Sequence, residues 1–188
     1  MRPDYEKIIQ SINYFARKQN NNKISKLYFL KLIFLADRYH LRMYGRTITN
    51  DHYVAMQYGP VASETKSTFE FLNIPEPMQA YAAEYLLPAE DSWITSRKEV
   101  DSEVFSETDM EALEAAWSTF KKHRNLVSFT HNFPEWSRHE QKLATYNASK
   151  MELEDFFMDA PKGVEYCPAT PERVAMNRDF FMEMAHLM

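Results

Sequence analysis

The feature that most constrains this chain is the segment Ile24–Tyr44, which is apolar on almost every side when it is drawn as a helix. Large apolar side chains point in three different directions around it. The three groups are Leu27, Leu30, Phe34 and Leu41; Leu32, Leu35 and Tyr39; and Phe29, Ala36 and Met43. A helix that is apolar all round is normally enclosed by other elements. The segment is therefore predicted to be the central, buried helix of the fold.

One narrow stripe of this helix is basic and carries Lys31, Arg38 and Arg42. Because charged side chains are seldom fully buried, the stripe is predicted to be the solvated edge of the helix. A second interpretation makes it a patch that binds a small anion or an acidic partner. A helix that reads a DNA groove would need more basic residues and a polar exposed face.

Asp37 lies among the apolar neighbours of the same helix, where an unpaired carboxylate would be costly. It is predicted to be a structural anchor that accepts hydrogen bonds from backbone N–H groups around Tyr58–Val61 or from His131. Trp136 is interpreted first as a core residue and second as a partner contact.

Glycine and proline residues predict where the central helix ends and the next one starts. Gly45 is predicted to end the central helix in a left-handed conformation. Tyr53–Met56 is a candidate extended segment after it. Gly59 and Pro60 are then predicted to form the cap and first position of a third helix, Pro60–Leu72.

The other predicted elements follow from periodicity and breakers. The predicted helices are one from Pro3 to about Lys18, Met78–Leu87, one started by a capping box of Ser106 and Asp109, Leu126–His131, one started at Pro134, one capped by Ser149, and a C-terminal helix opened by Thr170. Trp93–Thr95 and Glu99–Val104 are predicted to be two strands of a small hairpin.

The C-terminal helix is predicted to turn Val174, Phe181, Met184 and Met188 inward. Methionine and phenylalanine on one helical face are usually core residues. At a chain terminus they suit an adaptable binding surface or a dimer seam equally well, so Phe181 and Met184 are also candidates for partner binding.

Together these elements predict an α-dominated α+β fold with a single compact helical domain, residues 1–188. The central buried helix organises it, and a small two- or three-stranded sheet lies to one side. A chain of 188 residues is long enough to bury a substantial core in one domain.

Composition excludes several classes of protein. A net charge of −5 argues against nonspecific nucleic-acid binding. The one cysteine, Cys167, fits a reducing compartment. No segment resembles a membrane span, and the N-terminal MRPDYEKIIQ lacks the apolar core of a signal peptide. A cytoplasmic protein is therefore expected.

No pattern of catalytic or ligand-binding residues stands out. The six histidines are scattered without metal-ligand spacing, and there is no GxSxG turn. Three glycines are too few for a phosphate-binding loop. No catalytic, cofactor-binding or metal-ligating residue is predicted, and the chain is not expected to be an enzyme.

Three sequence blocks resemble the SocA-like antitoxins, the Panacea domain family. They are LIFLADRYHLRMYGRTIT, then YVAMQYGPV, and then Thr130-His131 followed by Pro134-Glu135-Trp136. The resemblance covers roughly residues 5–140, and residues 146–188 form a less family-like C-terminal helical extension.

The resemblance implies an antitoxin that neutralises a cognate protein toxin, encoded by a neighbouring gene, through direct binding. The antitoxin would sequester the toxin or deliver it to a protease or its unfoldase. Direct DNA binding, a membrane and a cofactor are not expected, and a homodimer is left open. The candidate partner-binding residues are Lys31, Arg38, Arg42, Phe181 and Met184. The structural motif is predicted to comprise Asp37, Gly45, Tyr58, Gly59, Pro60, His131 and Trp136.

Two other functions remain open at this point. One is a small hydrolase or nucleotide-processing enzyme that uses Asp37, His131 and the basic stripe. The other is a phage-associated protein of the same fold that counters host defence.

Overall fold

The predicted central helix organises the structure, a computed structural model that describes residues 2–123 and 125–186. This helix, α2 (Lys26–Tyr44), is buried continuously from Phe29 to Met43. Ser25 caps its start, and Gly45 ends it with a φ of 75°, in the left-handed region. The predictions of a buried central helix and of a left-handed glycine at its end are both confirmed.

Other helices surround α2, and α5 packs most extensively along it. In the described part of the chain they are α1 (Tyr5–Arg17), α3 (Ser63–Phe69), α4 (Glu76–Tyr85), α5 (Glu107–Lys122), α6 (Leu126–His131), α7 (Pro134–Ser137), α8 (Glu140–Leu143) and α9 (Pro171–His186), with short 3-10 helices at Glu90–Ser92, Ser102–Val104 and Leu153–Phe157. The predicted capping box at the start of α5 is present, with Ser106 and Asp109 each bonding the other's backbone N–H. None of the helices in these ranges combines the length and apolar composition needed to cross a bilayer.

Two antiparallel sheets lie beside the helices. The strands are β1 (Lys23–Ser25), β2 (Tyr53–Met56), β3 (Gly59–Ala62), β4 (Leu86–Ala89), β5 (Trp93–Ser96) and β6 (Ala148–Lys150). One sheet has the order β1-β5-β4 and the other β3-β2-β6. The α-dominated α+β class is confirmed, although the described residues form two three-stranded sheets where one side sheet was predicted.

The predicted helix start at Gly59 and Pro60 is wrong, because both residues belong to strand β3. Strands β2 and β3 pair so that Met56 lies opposite Gly59, which leaves a two-residue hairpin turn between them. Gly59 has a φ of 107°, which no helix allows. Helix α3 therefore begins only at Ser63.

The predicted hairpin of Trp93–Thr95 with Glu99–Val104 is also wrong. Strand β5 is present, but its partners are β1 and β4. Helix α4 ends at Tyr85, and the chain continues in an extended form through Pro88, a residue that does not continue a helix. The pairing of β1 with β5 also explains why α2 begins at Lys26 and not at Ile24.

The C-terminal part of the chain covers the C-terminal half of α2. Strand β6 pairs with β2, the 3-10 helix Leu153–Phe157 contacts α2, and α9 lies across the end of α2. The side-chain amide of Asn177 on α9 donates a 2.8 Å hydrogen bond to the carbonyl of Arg42.

Candidate partner-binding groove

A groove of about 490 Å³ opens between the N-terminal half of α2, the turn from β2 to β3, and the chain that follows α8. Its walls are mainly apolar. They include Leu27, Leu30, Tyr58, Val61, Leu143 and Tyr146. The charged residues that line it are all lysines, with no Asp or Glu among the described lining residues.

Three large side chains at the groove are strongly exposed. Leu27 is 42% exposed, Tyr58 63% and Tyr146 65%. Large apolar or aromatic side chains that gather around a concave surface, rather than scattering singly, are typical of an interaction site. The groove is therefore suited to bind a partner segment with apolar side chains.

The turn from β2 to β3 fixes the floor of the groove through Gly59. A Cβ atom on Gly59 would lie 2.9 Å from Lys31 Nζ and 2.9 Å from Thr130 Oγ1. Lys31 Nζ in turn donates a 2.9 Å hydrogen bond to the carbonyl of Pro60. A side chain here would be strained, because φ is left-handed and its Cβ would have to displace the ends of the Lys31 and Thr130 side chains.

Lys31 is buried without an anionic partner. Its side chain is 1% exposed, and its one hydrogen bond to the described residues is to the Pro60 carbonyl. No carboxylate of the described residues forms an ion pair with it. Burial alone lowers the pKa of Lys31 from 10.5 to about 7, because the ammonium has lost most of its hydration.

His131 and Trp136 pack next to the β2–β3 turn. Their rings stack with centroids 3.6 Å apart and nearly parallel planes. Trp136 Nε1 donates a 3.0 Å hydrogen bond to the carbonyl of Met56 in β2. Burial, and then the charge of Lys31, lowers the pKa of His131 below its usual range, so the ring is neutral near pH 7. Its Nε2 is buried without a hydrogen-bond partner among the described residues.

Arg38 lies farther along the same face of α2 and is fully neutralised. Its Nε donates to Glu135 at 2.7 Å, Nη1 to Glu165 at 3.0 Å, and Nη2 to the carbonyl of Met158 at 2.9 Å. The guanidinium also lies over the ring of Phe133, 4.5 Å from its centroid. Glu135 and Glu165 together hold the pKa of Arg38 above its usual value despite the burial.

Arg42 holds the segment that follows the 3-10 helix Leu153–Phe157. Its Nη1 donates to the carbonyls of Phe157 at 2.6 Å and Met158 at 2.9 Å. Its Nη2 pairs with Asp159 at 2.8 Å. This arginine therefore ties the C-terminal part of the chain to the central helix.

The predicted solvated stripe is wrong, because its three members are buried. Lys31 is 1% exposed, Arg38 0% and Arg42 3%. The C-terminal part of the chain and α7 cover Arg38 and Arg42, and the start of β3 covers Lys31. Arg38 and Arg42 are therefore not available as exposed partner contacts.

Asp37 is a buried anchor as predicted, but its predicted partners are wrong. It accepts four hydrogen bonds, two from backbone N–H groups and two from hydroxyls. The donors are the N–H groups of Ile48 and Thr49 and the hydroxyls of Thr49 and Tyr53. Burial raises the pKa of Asp37 to about 6, and these bonds oppose the rise. Neither His131 nor the Tyr58–Val61 backbone is a donor, because the loop just after α2 folds back over the carboxylate first.

The C-terminal helix α9 differs from its predicted orientation. Val174 is buried, and Phe181 is half-buried, 5.8 Å from the ring of Phe157. Met184 was predicted to face inward, which is wrong, because it is 44% exposed. Met188 lies outside the described residues.

The exposed face of α9 carries an apolar stripe at four-residue spacing. Its members are Met176, Phe180 and Met184. Phe180 reaches the end of α2, where its ring edge would lie 3.2 Å from a Cβ on Gly45. This stripe is a second exposed apolar surface.

Sequence reasoning missed several residues of these sites. Glu135 lies inside a recognised motif block, and a buried glutamate there could have been read as the partner of a basic residue. Nothing in the sequence marked Glu165 as a partner of Arg38, because it lies in a loop outside the helices and strands. Leu27 was assigned to the buried face, and Tyr146 was not singled out. Within the described ranges, no three His, Cys, Asp or Glu side chains are grouped so that they could hold a metal ion.

An open, largely apolar groove beside a packed helical core is suited to bind an apolar ligand or a partner segment. Residues 29–137, more than half of the chain, match the family described as antitoxin SocA-like, Panacea domain. The chain belongs to this family, as its three sequence blocks indicated. The match starts at residue 29, within α2, whereas the resemblance was placed from about residue 5. Searches among curated proteins and among solved structures found no match.

Proposed function

We propose that this protein is the antitoxin of a toxin–antitoxin pair, and that it neutralises a cognate protein toxin by binding it directly in the groove. The observation that carries this proposal is the exposure of Leu27, Tyr58 and Tyr146 around one concave surface. Family membership supports the antitoxin role.

The groove is favoured over the remaining residues of the sequence prediction. The guanidinium groups of Arg38 and Arg42 donate their hydrogen bonds to Glu135, Glu165 and the C-terminal segment. These contacts lie within the chain, so both arginines stabilise the fold. Phe181 packs inward on Phe157. Of the predicted partner contacts, Lys31 lines the groove, and Met184 belongs to the exposed stripe of α9, which is a secondary surface.

We further propose that binding, without bond chemistry or a cofactor, is the activity, and that it takes place in the cytoplasm. The carboxylate of Asp37 is fully enclosed and occupied by four donors. His131 is stacked on Trp136 and is not among those donors. The arrangement supports structural roles for both residues.

The test is co-expression with the product of each neighbouring gene, scored for growth rescue and for co-purification. The wild-type chain should rescue growth and retain the toxin. Tyr58→Asp should abolish both while the melting temperature stays close to wild type, since Tyr58 is exposed. Met176→Asp, an equally exposed apolar residue on α9, is the matched control and should still rescue.

Toxin levels in the same cells separate the two modes of neutralisation. Sequestration leaves the toxin abundant and bound, whereas delivery to a protease depletes it. If no neighbouring product is toxic, or none co-purifies with the wild-type chain, the antitoxin proposal is wrong. If Met176→Asp and not Tyr58→Asp abolishes rescue, the partner binds α9.

A further inference from the structure

The lysines along the groove differ in whether a carboxylate already neutralises them. Lys26 and Lys66 both pair with Glu70, at 2.8 and 2.9 Å. Lys31 pairs with no carboxylate of the described residues, although it is far more deeply buried than either. Lys31 is therefore a buried amine beside the groove that no carboxylate of the described residues pairs with.

Burying an ammonium group in this way is costly. An ammonium has three N–H donors, and the Pro60 carbonyl accepts a bond from only one of them. An apolar residue of the same length would occupy the space beside Gly59 and Pro60 without that cost. Residues that break a local rule without a compensating contact tend to mark functional sites.

The surroundings of Lys31 leave one direction for an anion. Gly59, Thr130 and the Pro60 carbonyl enclose Nζ on one side. The neutral His131 ring on α6 brings no negative charge. The groove, which Lys31 lines and where the described residues provide no carboxylate, is the side left for an anion; because Lys31 is only 1% exposed, the groove wall has to open for a carboxylate to reach Nζ.

We propose that the groove binds a toxin segment in which an Asp or Glu side chain, flanked by apolar side chains, pairs with the ammonium of Lys31. The apolar neighbours lie against Leu27, Tyr58 and Tyr146 at the rim. The partner's carboxylate completes the ion pair that this chain lacks, and an ion pair removed from water in this way favours specific recognition. The proposal relies on the proposed antitoxin function only for the identity of the partner.

The first experiment identifies the chemistry of the ligand without knowledge of the toxin. A displayed library of random peptides is selected on the full wild-type chain, and the selected peptides are measured against Lys31→Met and Lys18→Met. Lys18 is the control because it is a lysine outside the groove that already pairs with Glu114, at 2.6 Å. Peptides should carry Asp or Glu beside aliphatic or aromatic residues and should bind Lys31→Met at least about tenfold more weakly. Binding to Lys18→Met should change by less than about threefold.

Peptides without an acidic residue, or peptides that bind Lys31→Met as well as wild type, would overturn the proposal. Selection of nothing above background would do so too. Melting curves confirm that Lys31→Met is folded. A dimer of the wild-type chain that Lys31→Met dissociates would make a second copy the occupant, which also contradicts a toxin segment.

The second experiment connects the site to the toxin. In co-expression with the toxic neighbouring product, folded Lys31→Met should lose growth rescue and Lys18→Met should keep it. Rescue by Lys31→Met, when wild type also rescues, refutes this inference and leaves the antitoxin proposal intact. Acidic peptides that depend on Lys31, in the absence of any toxic neighbour, would support the site and refute the antitoxin proposal.

Discussion

Basic side chains are buried at both ends of one face of α2, but they have acidic partners at only one end. At the C-terminal end, Arg38 and Arg42 meet two glutamates, an aspartate and several carbonyls. At the N-terminal end, Lys31 meets one carbonyl and no carboxylate of the described residues. Buried basic side chains therefore stabilise the fold at one end, and at the other end leave an amine without an ionic partner among the described residues.

This difference in ionic partners arises because different segments cover the two halves of α2. The segment from Met158 to Glu165 crosses the C-terminal half of α2 and supplies acceptors to both arginines. The N-terminal half is covered by the β2–β3 turn, which supplies only the Pro60 carbonyl and then opens into the groove. The comparison makes separate predictions for the two ends.

The largest effect is expected at the neutralised end. Arg38→Met should lower the free energy of unfolding by about 3–5 kcal/mol, because Glu135 is then buried with an uncompensated charge. Urea unfolding followed by circular dichroism measures the loss. Adding Glu135→Gln to Arg38→Met should restore much of it. Arg138→Met, which breaks the half-exposed pair with Asp155, should cost less than about 1 kcal/mol. Equal losses for Arg38→Met and Arg138→Met would contradict a structural role for Arg38.

A smaller effect is expected where the turn meets Lys31. Gly59→Ala should destabilise the protein by about 2–3 kcal/mol, because its Cβ clashes with Lys31 and Thr130 in addition to adopting a left-handed φ. Gly163→Ala shares the left-handed φ, at 87°, but its Cβ meets nothing within 4 Å. The excess loss for Gly59→Ala therefore measures the close contact. Similar losses in thermal unfolding would show that the contact with Lys31 is unimportant.

The smallest effect, and one of opposite sign, is expected at Lys31 itself. Lys31→Met should raise the free energy of unfolding by about 1–2 kcal/mol at about pH 6, because it removes a buried, unpaired charge.

The stability gain of Lys31→Met over the wild type should depend on pH. Below pH 7 the folded and unfolded states both carry the proton on Lys31, so the wild type bears the full cost of the buried charge. Between about 7 and 10.5 the unfolded state binds more protons, so wild-type stability rises with pH relative to Lys31→Met. The advantage of Lys31→Met should therefore shrink over this window. The other titratable groups nearby are His131 on α6 and, along the groove, Lys26, Lys66, Tyr58 and Tyr146. A constant difference across the window would contradict a buried, unpaired ammonium.

The sequence predicted the parts of this molecule that depend on local chemistry. Gly45 ends α2 with positive φ, Ser106 and Asp109 form the capping box, and α2 is buried because its apolar side chains leave no free face. Each of these features is determined by residues close together in the chain.

The sequence could not predict what depends on distant partners. The sequence shows the stripe of Lys31, Arg38 and Arg42, but the helical pattern does not reveal that Glu135 and Glu165 pair with Arg38. Gly59 signalled a special backbone conformation, and only the pairing of β2 with β3 decides that it is a strand start and not a helix cap. The sequence could not predict the groove either, because three segments that are far apart in the chain form it.

The most direct test of the difference between the two ends is the number of protons taken up when the toxin binds. Free Lys31 is mostly neutral at about pH 8, so pairing with a carboxylate requires it to gain a proton. Calorimetric titration of the toxin at about pH 8, in two buffers of different ionisation enthalpy, should show proton uptake by the wild-type chain. Lys31→Met should show none and should bind more weakly. Equal proton uptake and equal affinity for the two proteins would contradict the claim that Lys31 is held unpaired for a partner.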